Sequence, residues 1–120
     1  MMKQGIVLLA HGSRDPLWCL PIEAVADAIR ARDPEALVCC AYLELCPPDL
    51  AQAATYLIAS GARQIKVFPI FFGVGKHARE DFPRLMEHLQ TRHPDVSVER
   101  MPTAGEHPQL IALMAEIALS

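Results

Sequence analysis

The chain has 120 residues, 52% of them hydrophobic and 21% charged, the size and balance of one globular domain. That composition excludes a disordered or collagen-like chain. A net charge of −3 argues against a nucleic-acid or membrane-surface binder, because both need a basic field.

Residues 5–10 form a short apolar run broken by His11-Gly12-Ser13, the pattern of a buried strand feeding a loop. The run is too short for a signal-peptide core, and nothing approaches the roughly 20 apolar residues of a membrane span. Residues 17–32 repeat apolar positions at helical spacing (Ile22, Val25, Ala26, Ile29) and stop before Asp33-Pro34. Residues 36–45 read as a second strand. Pro47-Pro48-Asp49 then opens a second helix that ends at Gly61.

The most apolar strand is 64–71. A loop, Phe72-Gly73-Val74-Gly75-Lys76-His77, leads from it into a third helix over 79–91. Residues 95–101 alternate like a fourth strand, and a last helix begins near Pro108. The expected fold is therefore α/β: a single doubly wound domain over 1–120, with a four-stranded parallel sheet and helices on both faces. A sheet this small hints at a partner chain. Met86, Met101 and Met114 read as core filler.

The four cysteines, Cys19, Cys39, Cys40 and Cys46, lack the paired spacing of a zinc or redox motif. They read as reduced small hydrophobes, hence a cytoplasmic protein.

Ligands of open parallel sheets bind beyond the carboxyl ends of the strands, where strand order reverses. With a 2-1-3-4 order, taken by analogy with flavodoxin-like sheets, strands one and three are neighbours. His11 and His77 then face one cleft. Glu44, after strand two, and His107, after strand four, open on the same edge. Neutral imidazoles suit borderline divalent metals, and two histidines leave coordination positions open, as a protein that hands a metal on requires. Arg14, Lys76 and Arg79 place positive charge beside the two histidines in an otherwise acidic chain, as a polycarboxylate ligand needs.

Three segments carry a family resemblance: Leu9-Ala10-His11-Gly12-Ser13-Arg14-Asp15-Pro16, Ala41-Tyr42-Leu43-Glu44, and the run from Phe68 through His77 to Asp81-Phe82-Pro83. In this order they resemble the small CbiX-type sirohydrochlorin chelatases, SirB being a related member. The resemblance implies ATP-independent insertion of Co²⁺, with Ni²⁺ or Fe²⁺ as alternatives, into sirohydrochlorin for cobalamin or siroheme synthesis. It carries metal binding onto His11 and His77 and implies an assisting carboxylate at Glu44. Ser13, Arg14, Lys76 and Arg79 are the expected substrate-binding residues. Short members resemble half of the longer two-lobed chelatases and are expected to pair as homodimers. Phe72-Gly73-Val74 departs from the usual small aliphatic stretch before the second histidine and bears on pocket shape.

Plainer readings stand beside these. Each histidine could serve only its own loop, Glu44 could cap the helix start at Pro47-Pro48, and the basic residues could be solvated surface charge. His107 belongs with a helix start, and His88 and His93 read as surface residues. Gly73-Val74-Gly75-Lys76 lacks the spacing of a phosphate loop. A histidine phosphatase would need an arginine where Ala10 stands. A non-catalytic metal or tetrapyrrole carrier would use the same histidines and differs from a chelatase only in turnover.

Overall fold

The computed structural model describes residues 3–120. Its centre is strand β1 (Gln4–Ala10), whose Val7, Leu8, Leu9 and Ala10 are all buried. A strand covered on both faces must be apolar on both, which explains a continuous run instead of alternation. β1 pairs in parallel with β2 (Leu37–Tyr42) on one side and β3 (Gln64–Pro69) on the other. β4 (Ser97–Arg100) pairs in parallel with β3, giving the order β2-β1-β3-β4. The strand order taken by analogy is the one observed, and it reverses direction between β1 and β3.

Helix α1 (Leu20–Arg32) covers one face, packing Ile22, Ala26 and Ile29 onto Leu8, Ala10, Val38 and Tyr42. Val25, the fourth member of the expected apolar stripe, is exposed. The helix starts later than its periodicity predicts. Asp15 caps a separate 3-10 turn, Pro16–Cys19, and Pro21 restarts the chain as an α-helix.

The opposite face carries α2 (Leu50–Ala59) and α3 (Lys76–Arg92). At the start of α2, Asp49 accepts from the Gln52 amide at 2.8 Å and Gln52 accepts from the Asp49 amide at 2.9 Å. This capping box leaves no capping role for Glu44. Gly61, at φ +111°, follows the helix in the left-handed region that ends helices.

Phe82 of α3 is 2% exposed, packs against Phe71 with ring centroids 5.7 Å apart, and lies under the Arg100 guanidinium. Phe82→Ala is expected to cost about 3–5 kcal/mol, because the cavity it leaves is walled by sheet and helix and closes poorly. Equilibrium denaturant unfolding of the two proteins measures this.

Helix α4 (Pro108–Leu119) departs from expectation. It buries no residue, and its main packing is against the 3-10 turn Ala104–Glu106 just before it. Ile111, Leu113, Met114, Ile117 and Leu119 are all exposed. Met114 is therefore not core filler, whereas Met86 packs against the core. Helices do lie on both faces of the sheet, but only α1 covers its own side. Among the described residues, no helix is long and apolar enough to cross a membrane.

Candidate functional site

The carboxyl ends of the strands converge because the sheet hydrogen bonding runs past the regular strands. Leu43 donates its amide to the Ala10 carbonyl at 2.9 Å, and Glu44 donates to the His11 carbonyl at 3.1 Å. On the other side of β1, Ile70 donates to the Leu9 carbonyl at 2.7 Å. His11 is thus held between the segment carrying Glu44 and the segment carrying Phe71. Its ring stands edge-on to Phe71, with centroids 4.6 Å apart, so a buried aromatic with few rotamers orients an exposed imidazole.

Gly12 makes this approach possible. It has φ +99°, and a Cβ there would sit 1.8 Å from the Glu44 carbonyl oxygen. Leu45, directly after Glu44, also takes a positive φ of 72°. That conformation is costly for a branched side chain and turns the chain sharply out of the sheet.

His77 is in the first turn of α3, not in the loop preceding it. Gly75 is the N-cap residue, so the helix begins at Lys76, three residues earlier than expected. It continues through Pro83 to Arg92. A cavity of about 590 Å³ lies between this helix and the ends of β1 and β2. It is lined by His11, Leu43 and Glu44 from the strand ends, and by His77, Asp81, Arg84 and His88 from α3, with Ala78 and Leu85 between them. The two histidines and Glu44 are therefore brought to one cavity. Among the described residues, no three His, Cys, Asp or Glu side chains close around a metal position.

Sequence reasoning placed other residues differently. His88 is exposed, as expected of a surface residue, and it also lines the cavity, because it shares a helical stripe with His77 and Arg84 (spacings of seven and four). Arg84 escaped notice for the same reason, since it stands far from the motifs in sequence. Arg14, Ser13, Lys76 and Arg79 do not line the cavity. The Ser13 hydroxyl accepts from the Asp15 amide at 3.0 Å within its own turn. Lys76 and Arg79 lie one residue before and two after His77, which turns them off its helical face. Arg79 instead borders a smaller groove with Phe72, Val74, Arg100 and Glu106.

His107 stands at the N-cap position of α4, the helix start expected of it, with no side-chain bond to the helix; its Nε2 bonds back to the Pro102 carbonyl at 3.0 Å. All four cysteines are free and half-buried. Burial pushes the Cys40 thiol up to about 11, with the neighbouring Cys39 adding to the rise. Cys40 is thus held as the protonated thiol, a poor metal ligand.

Fold and site together define a small doubly wound α/β protein whose imidazoles open on a cleft at the carboxyl edge of its sheet. Residues 5–119 match the CbiX family model, and the chain belongs to the CbiX family. It is 31% identical over 90 residues to the sirohydrochlorin cobaltochelatase of Methanocaldococcus jannaschii, covering 75% of this chain and 63% of that protein. It is 37% identical over 82 residues to the sirohydrochlorin cobaltochelatase of Saccharolobus solfataricus, covering 68% of this chain and 62% of that one. The matched segments thus span less than two thirds of those relatives' own length. Among solved structures, the cobalamin (vitamin B12) biosynthesis CbiX protein of Marinobacter aquaeolei VT8 superposes with a TM-score of 0.83 at 31% identity, covering 97% of this chain and 94% of that chain. The sirohydrochlorin chelatase SirB of Bacillus subtilis subspecies spizizenii, solved with cobalt, shares the fold at a TM-score of 0.81 and 22% identity. It covers 98% of this chain but 50% of SirB.

Proposed function

We propose that the protein is a sirohydrochlorin chelatase that inserts a divalent metal, Co²⁺ in the first instance and Ni²⁺ or Fe²⁺ as alternatives, without ATP. The observation that carries this reading is the meeting of His11, His77 and Glu44 on one cavity at the switch point of the sheet. Family membership supports it, as do the names of the relatives above.

In this reading the metal is a substrate. His11 and His77 present it to one face of the macrocycle and keep other coordination positions open for the pyrrole nitrogens. Those nitrogens lose their inner N–H protons as the metal–nitrogen bonds form. Two protons leave in all: Glu44, next to His11, takes one, and the second passes to His11 or His77 as that imidazole releases the metal. Arg14, Lys76, Arg79 and Ser13 engage carboxylates of the tetrapyrrole that project beyond the cavity. The single domain spans 1–120, and the free, half-buried thiols fit a cytoplasmic protein.

The chain acts as a homodimer in this reading. Two features support that: α4 exposes a whole apolar helix, and the chain matches half of a longer protein of the same fold. Light scattering is expected to give twice the chain mass. Leu113→Asp with Ile117→Asp is expected to shift the protein to monomer while the far-ultraviolet circular dichroism of the sheet domain persists. A wild-type monomer at micromolar concentration would overturn the pairing.

The activity is tested by following the absorbance of sirohydrochlorin anaerobically with substoichiometric protein and each metal in turn. Metallation of many equivalents per chain, faster than the protein-free blank, is the expected result. Stoichiometric binding without turnover would make the protein a carrier. Rates equal to the blank for every metal would overturn the chelatase reading.

A further inference from the structure

Four of the polar residues on the cavity come from one helix, and they lie on one stripe. His77, Asp81, Arg84 and His88 follow at intervals of four, three and four residues, so their side chains project from the same face of α3. Arg84 is two helical turns, about 10 Å along the axis, from His77. That spacing is comparable to the distance from the centre of a tetrapyrrole to the carboxylates on its rim.

Charge is segregated along this stripe. His77 and Asp81 stand nearer the end where α3 begins, and His11 and Glu44 line the same cavity. Toward the other end stand Arg84 and His88, and among the described residues Arg84 is the only lysine or arginine on the cavity. Among the described residues it has no ion-pair partner. The one ion pair among the described residues is Arg30–Asp27 at 3.1 Å, on α1. Asp81, although three residues from Arg84 on the same helix, forms no ion pair with it. A guanidinium presents a planar fork of donors matched to a carboxylate, and here that fork is left available on the exposed wall of the cavity.

We infer that Arg84, with His88 one turn further on, is the anchor on the cavity wall for a rim carboxylate of the tetrapyrrole. The inference rests on the chelatase reading and assigns the substrate end of the same site. Because this contact is made equally in the ground state and the transition state, it acts on substrate affinity and leaves the chemical step alone.

The test compares Arg84→Ala, Arg84→Lys and His88→Ala with wild type and with Arg92→Ala, a charge deletion on the same helix outside the cavity. Steady-state metallation with Co²⁺ gives KM and kcat. Fluorescence titration gives the affinity for metal-free sirohydrochlorin, and a separate titration gives the affinity for Co²⁺ alone. Loss of a charged hydrogen bond is expected to raise KM and the dissociation constant of Arg84→Ala by about 10-fold or more. The kcat and the Co²⁺ affinity should be preserved, Arg84→Lys should recover part of the loss, and His88→Ala should show a smaller rise. Arg92→Ala should match wild type. Equal affinity in wild type and Arg84→Ala overturns the anchor, as does a kcat or Co²⁺ defect without a change in KM. Wild type that binds sirohydrochlorin without turnover overturns the chelatase reading, while the titration still decides the anchor. Wild type that does not bind it overturns both.

Discussion

Replacing His11 or His77 by alanine is expected to lower the metallation rate by about 100-fold or more, with little change in stability. Partners that merely orient a metal-binding histidine are worth 10- to 100-fold when lost, so deletion of the imidazole itself should reach or exceed that range. Both histidines are exposed, and exposed side chains outside special backbone positions shift stability by about 0.5 kcal/mol or less. The double variant is expected to be scarcely slower than either single one, because residues that present one metal act as a unit. Metallation kinetics and thermal melts on the same preparations measure the two effects. Full activity in either variant would remove that histidine from the site.

Gly12→Ala should act by a different route and fail more completely. The residue has φ +99°, and its new Cβ would collide with the Glu44 carbonyl oxygen. The left-handed backbone alone costs a non-glycine residue about 1–3 kcal/mol. The collision adds to this by forcing apart the two segments joined by the Glu44 amide and the His11 carbonyl. A total near 3 kcal/mol corresponds to a fall in melting temperature of about 12 °C for a chain of this size. Activity should be lost even below that temperature, since His11 and Glu44 would no longer stand side by side. Gly73→Ala is the matched control: its Cβ would meet no atom within 4 Å. An unchanged melt and rate for Gly12→Ala would mean that the loop has room to move and that its present form is not required.

The candidate site was only partly legible before the fold was known. His11 and Glu44 stand just beyond strand ends, and His77 opens the helix that follows β3, so the rule that such ends share an edge was enough to group them once strand order was assumed. The four expected substrate-binding residues stand near the histidines in sequence, and that nearness does not put them on the cavity wall. Along a helix, residues one or two positions apart face different directions, and residues seven or eleven apart share a face. Lys76 and Arg79 therefore lie off the cavity while Arg84 and His88 line it.

By itself the sequence determined the alternation of strands and helices and the continuous apolar character of β1, and it singled out the two imidazoles that the fold brings to one cavity. All of these are local: they depend on periodicity and on the few residue types that suit a chemistry. Tertiary structure alone decided that α3 starts early enough to carry His77, that Gly12 admits the Glu44 carbonyl, and that α4 is left without cover. Each of these turns on what approaches a residue from elsewhere in the chain, or from outside it. An apolar helix has the same local pattern whether its face meets its own sheet or another molecule.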